Sequence, residues 1–377
     1  MTFCVDGILI GSIDPKDYPR VISRWEGWRK LDQPSAAWDN TSAKVPDSHC
    51  SHASLLNAGC YDEGERGCTG PYNVENLIIC GQGQINANGF TLAYNEGPNI
   101  NIGKFVGIDT YPVQDASLRG SVIRIHNGRN IYVKDVQLAY APFWTVHTIF
   151  CERITFDGVE VVSMGDGDGG KGSDLFYCGH VFNGDGIDPE HCAHVNIFDV
   201  FFTTGDDPIA IKSGRNREGN ELDKPNAYIR VTDCVSRWSL GGFGTGSESA
   251  SGSHDLIFQN LDIRDIVLNG IWIKTCRPRG GVTEFIQVRD VSAVNCDSPV
   301  WIFNNYSSTS VHANPAKDPP IVRRMVFENI RGSAENKRGI VIDGVEGCPV
   351  TDIHFRGVDN GGRQDVIRFG ENITGLD

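Results

Sequence analysis

One pattern recurs along this chain: a polar turn, then a short run with Val, Ile or Phe at every second position. It stands as ENLIICGQG, RNIYVKDVQL, ERITFDGVEV, AHVNIFDVFF, AYIRVTDCVS, HDLIFQNLDI, TEFIQVRDVS, RRMVFENIRG and TDIHFRGVDN. A period of two is the mark of strands whose side chains alternate between faces. Measured between Ile131, Ile154, Val195, Ile229, Leu256, Phe285, Met325 and Ile353, the steps are 23, 41, 34, 27, 29, 40 and 28 residues. A fixed strand with variable insertions predicts a solenoid whose coils carry loops. No long segment has the 3.6-residue period of a helical repeat. Asn-Gly and Asp-Gly turns do not join the runs as hairpins, which an antiparallel sandwich would require. The expected fold is therefore all-β, a right-handed parallel β-helix of roughly nine or ten coils, with the longer steps marking loops that wall a cleft.

Residues 71 to 377 carry the repeat, and the chain reads as one β-helix domain over 1 to 377. Residues 1 to 70 depart from it, although GILIGS suits a first strand and Trp25 and Trp28 suit packing over something apolar. An open first coil exposes unpaired backbone. This end is thus expected to be covered by residues 13 to 70 or by another subunit, which makes a homo-oligomer through the N-terminal end a candidate.

The net charge of -14 leaves no basic stripe to neutralise phosphates, which argues against nucleic acid. No run of 18 apolar residues is present, so no membrane partner is expected. The opening MTFCVDGILIGSIDP has no basic-then-apolar leader, which slightly favours a cytoplasmic location over a secreted or periplasmic one. The twelve cysteines include no CxxC pair, so a structural zinc site is not expected. Cys151, Cys192 and Cys234 flank apolar runs as small hydrophobes, while Cys50, Cys60, Cys68 and Cys80 are the best candidates for pairing if the compartment is oxidising.

The chemistry concentrates between Asn183 and Lys212, where NGDGID and TGDDPIAIK hold Asp185, Asp206 and Asp207. Neighbours on a strand point to opposite faces, so Asp206 and Asp207 share a site only on a bend, which Gly205 and Pro208 favour. Asp185 precedes Asp206 by about one coil, which would set the two roughly 4.8 Å apart on adjacent rungs. Carboxylates so close cannot all ionise freely, and one retains its proton near neutral pH. A protonated acid beside ionised ones is the equipment for glycosidic bond cleavage; the same residues also suit a solvated or calcium-binding turn.

The order NGDGID, TGDD, GFGTGSE, IWIKT resembles glycoside hydrolase family 28, the polygalacturonase family. LIGSIDPKDYP, IHNGRNIYVKDVQLAYAPFWTVHTIFCERITFDGVEV and IAIKSGRN extend the resemblance over nearly the whole chain, toward the bacterial, exo-acting branch. The resemblance implies an inverting hydrolase of plant cell-wall pectin or its fragments, with no cofactor and no metal. It implies Asp206 as general acid, with Asp185 and Asp207 holding the water.

Two departures stand out. Counting back from Gly246 and Ser247 places Leu240 at the family's GHG histidine, and Trp272 stands where an Arg-Ile-Lys motif has arginine, leaving Lys274. Trp272 would offer a face on which a sugar ring could stack. The implied substrate is then galacturonan, rhamnogalacturonan, or a substituted or neutral residue. Further substrate-contact candidates are Asn183, which could orient Asp185 or serve only its turn, Lys212 and Arg215, which could meet the sugar or pair with Asp207, and Arg279, which could hold a carboxylate or be a solvated loop charge. Tyr306 falls at a family substrate position but also suits packing, and Trp144 and His147 read as core. The Gly-rich 165 to 172 is expected to overhang the cleft, and the sequons at Asn40, Asn305 and Asn372 carry no weight. Two rival functions remain open: a calcium-assisted polysaccharide lyase with a Lys or Arg base, and a weakly active carbohydrate-binding β-helix.

Overall fold

In the computed structural model, residues 1–18, 20–22, 50–59, 72–89, 120–163, 183–306 and 315–376 are described. Two parallel sheets wind around a common apolar interior. The first is a ladder of ten strands, from Leu56–Ala58 through Ile187–Glu190, Ile209–Ile211, Phe243–Thr245 and Ile271–Lys274 to Val366–Arg368. The second has sixteen strands. Its early coils contribute two short strands each, such as Ala193–Phe198 and Phe201–Thr203, and both pair with the 12-residue Asn226–Arg237. From there on each coil crosses this side in a single long strand, as in Ser253–Arg264 and Val282–Val294. The long strands turn corners at left-handed residues, among them Asp233, Asn260 and Asp290 at φ 53 to 57°, and resume their pairing on either side. This is the expected right-handed parallel β-helix.

Side chains at alternate positions stack inward in columns that run the length of the molecule. Ile131, Ile154, Val195, Ile229, Leu256, Ile286, Met325 and Ile353 follow one another in register, each at most 1% exposed. The register corrects one member of the expected series: Ile286 points inward, whereas Phe285 has a φ of 55° and lies 46% exposed on the outside. Cys151, Cys192 and Cys234 are buried, as small hydrophobes should be. Among the cysteines expected to pair, Cys80 is bonded to Cys4, which none of the expected pairings included; Cys60 and Cys68 lie outside the described residues.

The repeat begins earlier than its clearest copies. Thr2–Cys4 pairs in parallel with Val74–Cys80, and Ile8–Ile10 with Gln84–Asn86, so the first coil is built by the first ten residues. Arg20–Ile22 and Cys50–His52 pair antiparallel. Trp25, Trp28, Asn40 and the loop 165 to 172 lie outside the described residues. No helix of the described residues is long and apolar enough to cross a membrane.

Candidate active site

The acids sit where two turns lead into neighbouring rungs of the ten-stranded ladder. Ile187 pairs with Ile209, so by register Asp185 stands beside Asp207, one position from the expected alignment with Asp206. The chain bends at Gly205, Asp206 and Pro208, as the sequence requires for adjacent acids to converge. Ser163 ties the two turns together: its hydroxyl donates to the Gly184 carbonyl at 2.5 Å and accepts the Gly205 N–H at 3.2 Å. Gly186 has no room for a side chain, since a Cβ would lie 2.3 Å from the Pro208 carbonyl and 2.9 Å from the Phe202 ring. Oxygens of Asp185, Asp206 and Asp207 thereby come within 4.8 Å of one another.

Asp185 and Asp207 are at most 2% exposed, while Asp206 is half-buried and is the member of the trio that reaches solvent. Lys274 Nζ lies 2.5 Å from Asp207 and Lys212 Nζ 3.5 Å from Asp185; Asp206 enters no ion pair among the described residues. Asp185 Oδ1 and Asp207 Oδ1 are buried acceptors with no hydrogen bond among the described residues. Burial, reinforced by Asp206, pushes the Asp185 carboxyl up to about 7. Burial together with Asp207 pushes Asp206 up to about 6. Burial also carries Asp207 up to about 6, Lys274 opposing and Asp185 assisting. The three titrate as one unit and retain a proton near neutral pH, as the crowding predicts.

Residues that the sequence left unmarked complete the site. Glu248 Oε1 lies 3.1 Å from Arg215 and 3.8 Å from Arg279, and its Oε2 lies 3.4 Å from Lys212. Although burial opposes ionisation, those three cations hold its carboxyl well below the ordinary range. Asp188, fully buried, lies 3.8 Å from Lys212 and accepts no hydrogen bond among the described residues. Trp144 carries the Lys212 ammonium 4.7 Å from its ring centroid, and His147 pairs with Glu190 at 2.8 Å. Both were expected in the core; they are buried there and also line the Lys212 pocket.

Several expectations need correction. Lys212 pairs with Asp185 and Glu248, and the partner of Asp207 is Lys274. Arg279 is not a solvated loop charge: it is 0% exposed, donates to Asn216 Oδ1 at 3.0 Å, and faces the chain's own Glu248. The Trp272 indole is no open platform. It is 5% exposed, with the Lys274 ammonium 3.7 Å from its ring centroid. The Tyr306 ring lies 5.7 Å from the same ammonium, which brings it to the site's edge. Asn183 takes a left-handed φ of 57°, which suits a turn residue.

Comparison with known proteins gives the family. The family model of glycosyl hydrolases family 28 matches residues 60–369. The chain belongs to that family. A probable polygalacturonase of Vitis vinifera is 27% identical over 248 residues, covering 62% of this chain and 45% of the relative. An exopolygalacturonase of Rhizopus delemar is 26% identical over 185 residues, covering 47% of this chain and 45% of its own. The chain spans about half the length of the curated relatives it matches. Its fold follows that of a hyperthermoactive exopolygalacturonase from Thermotoga maritima, with a TM-score of 0.73, 24% identity, and coverage of 100% of this chain and 79% of that one.

In this chain the position that abuts the acids is Gly241, the neighbour of Leu240. In register Gly241 follows Asp207, and a Cβ there would meet Asp207 Oδ1 at 2.1 Å and the Trp272 ring at 2.8 Å. The Trp272 indole fills the space that a side chain at 241 would take.

Proposed function

We propose that this protein is a glycoside hydrolase that cleaves pectin-type, galacturonate-containing poly- or oligosaccharides. The observation that carries the reading is the asymmetry of the trio: Asp206 meets solvent without a cation, whereas Asp185 and Asp207 are recessed and held by Lys212 and Lys274. Asp206 is the acid that protonates the leaving oxygen. Asp185 and Asp207 position water on their open Oδ1 acceptors and take its proton as it attacks. Arg215, with a side chain 19% exposed, is the best-placed cation for a uronate carboxylate, because Lys212, Lys274 and Arg279 are more deeply buried among carboxylates.

Two features bear against the rivals. A lyase needs a basic group able to lose its proton, but the buried carboxylates raise Lys274 and push Lys212 well above the usual lysine value. A divalent cation among the trio would face two ammonium groups already in place, which supports a metal-free site.

Inversion rests on family membership. The trio's oxygens lie within 4.8 Å, closer than the roughly 6.5–9.5 Å that inverting pairs usually keep. Proton NMR of the first product decides the matter, and an inverted anomer is expected. Asp206→Asn should lower release of reducing ends from galacturonan by about a thousandfold, tested beside rhamnogalacturonan and neutral oligosaccharides. An unchanged rate, or a product with the ultraviolet absorbance of an unsaturated sugar, would overturn the reading.

A further inference from the structure

The sixteen-stranded sheet carries a second feature, built from backbone corners. In one column of left-handed residues, running from Asp135 to Gly357, the φ values lie between 53 and 62° and every member is Asp, Asn or Gly. Those are the residues that tolerate this conformation. A parallel column on the same sheet opens with Asn76 and Asn130 and closes with Asp352 and Asn372. Its middle rungs instead carry Arg153, His194, Tyr228, Asp255, Phe285 and Arg324, at φ 55 to 58°. A bulky Tyr or Phe is an outlier at such angles, whereas Asn, Asp and His are enriched there, so the backbone does not select Tyr228 and Phe285 here. Nor does the core, since Tyr228 is 51% and Phe285 46% exposed.

These side chains form a slot. Register places Tyr228, Asp255 and Phe285 on three successive rungs. The His194 ring stacks on Tyr228 at 4.9 Å with 10° between planes, and the Arg324 guanidinium lies 5.3 Å over Phe285. Each aromatic thus has one covered face, and the His254 ring, beside Asp255, also meets the Tyr228 ring edge-on at 5.9 Å. Two rungs separate the Tyr228 and Phe285 positions by roughly 9.6 Å. A ring midway would lie roughly 4.8 Å from each, loose for a flat aromatic and suited to the thicker pyranose chair. Asp255 lies between them, accepting the His254 Nδ1 hydrogen bond at 2.7 Å. The cavity measures about 520 Å³ and is bordered by Arg230 and Gln287. Arg230 is exposed and enters no ion pair among the described residues, within a chain of net charge -14.

We propose that this slot is a second carbohydrate site, separate from the carboxylate cleft. It takes one pyranose of an acidic oligosaccharide between Tyr228 and Phe285, with the uronate carboxylate on Arg230 and hydroxyls on Asp255 and Gln287. The choice of a uronate rests on the proposed function; the aromatic sandwich does not. Its role is to hold polymer near the cleft without taking part in cleavage.

The test titrates trigalacturonate into full-length Asp206→Asn protein by calorimetry, with and without Tyr228→Asn and Phe285→Asn. Asparagine keeps the corner at lower backbone cost, so the melting temperature should stay equal or rise, whereas a structural role for the rings would lower it. Two binding events are expected, one weakened about tenfold or more by the Asn pair. In the Asp206-containing protein the same pair should leave trigalacturonate turnover unchanged and raise KM on polymer. Identical titrations with and without the rings would overturn the proposal. So would light scattering showing a dimer that the Asn pair dissolves, which would give the slot to a second copy. If Asp206→Asn still cleaves the probe, the acid assignment fails instead, and the slot is still read from the effect of the Asn pair.

Discussion

Glu248 and the Asp185, Asp206 and Asp207 trio are buried carboxylates in one site, sharing Lys212, yet their proton affinities move in opposite directions. Glu248 faces three cations, Lys212, Arg215 and Arg279. The trio has two lysines for three carboxylates, one of them shared with Glu248. Burial therefore does not set the outcome, because all are desolvated; the local ratio of charges does. Counting Asp188, five carboxylates face Lys212, Lys274, Arg215 and Arg279. One retained proton balances the set, and Asp188, pushed well above the usual carboxylate range by burial and by Asp185, competes with the trio for it.

The strongest way to break this contrast is to neutralise one member of each group and measure stability by denaturant unfolding. Glu248→Gln leaves three buried cations short of a carboxylate and should cost about 3–5 kcal/mol. Asp185→Asn should do the reverse. Its folded pKa, about 7, exceeds its ordinary 3.8, so the folded state binds that proton more tightly than the unfolded chain. The stability so gained is complete below pH about 4 and is lost as pH rises through about 7. At pH 8 Asp185→Asn should therefore stabilise the protein by about 2 kcal/mol, and at pH 4 by nothing. A loss at both pH values would mean that Lys212 depends on Asp185 more than on Glu248.

A smaller effect sharpens the comparison in activity. The pH profile should be bell-shaped, because the trio holds its protons jointly: the rate falls at high pH as the last proton leaves Asp206, and falls at lower pH as a further proton settles on Asp185 or Asp207, whose carboxyls are raised as far as that of Asp206 or further. Lys274→Met removes the cation that holds Asp207 ionised and should move the profile toward alkaline pH by about one unit. Glu248→Gln removes a negative neighbour of Asp185 and releases Lys212 to it, so the profile should move toward acid by a similar amount. Shifts in the same direction would refute the charge-ratio account.

Much of this was legible beforehand. The two-residue alternation gave the solenoid because inward columns need an apolar residue at each rung, and Gly205 and Pro208 announced the bend that joins Asp206 to Asp207. What escaped is what register decides. Glu248 and Ser163 join the acids only across rungs separated by loops of unequal length, and no spacing in the sequence fixes that alignment, whereas Asp188 stands three residues after Asp185 in NGDGID and was left unmarked. The one-residue slip of Phe285 for Ile286 has a related cause. In a strand one step reverses the face, and the left-handed residue at 285 interrupts the alternation from which the repeat was read.

The smallest expected effect separates charge balance from mere proximity. Glu190 is a second buried carboxylate beside the site, and it too is shifted down, to about 2, by a different cause. There the His147 hydrogen bond at 2.8 Å outweighs burial, while burial keeps His147 itself below its usual value. Glu190 is not among the main groups that set Asp185, Asp206 or Asp207. Glu190→Gln keeps an acceptor for His147 and should cost about 1 kcal/mol of stability, with the activity profile moving by less than about 0.3 pH units. Measured beside Glu248→Gln, it tests whether a buried acid matters to the trio through the cations it competes for. An equal shift from both variants would show that any buried negative charge nearby suffices.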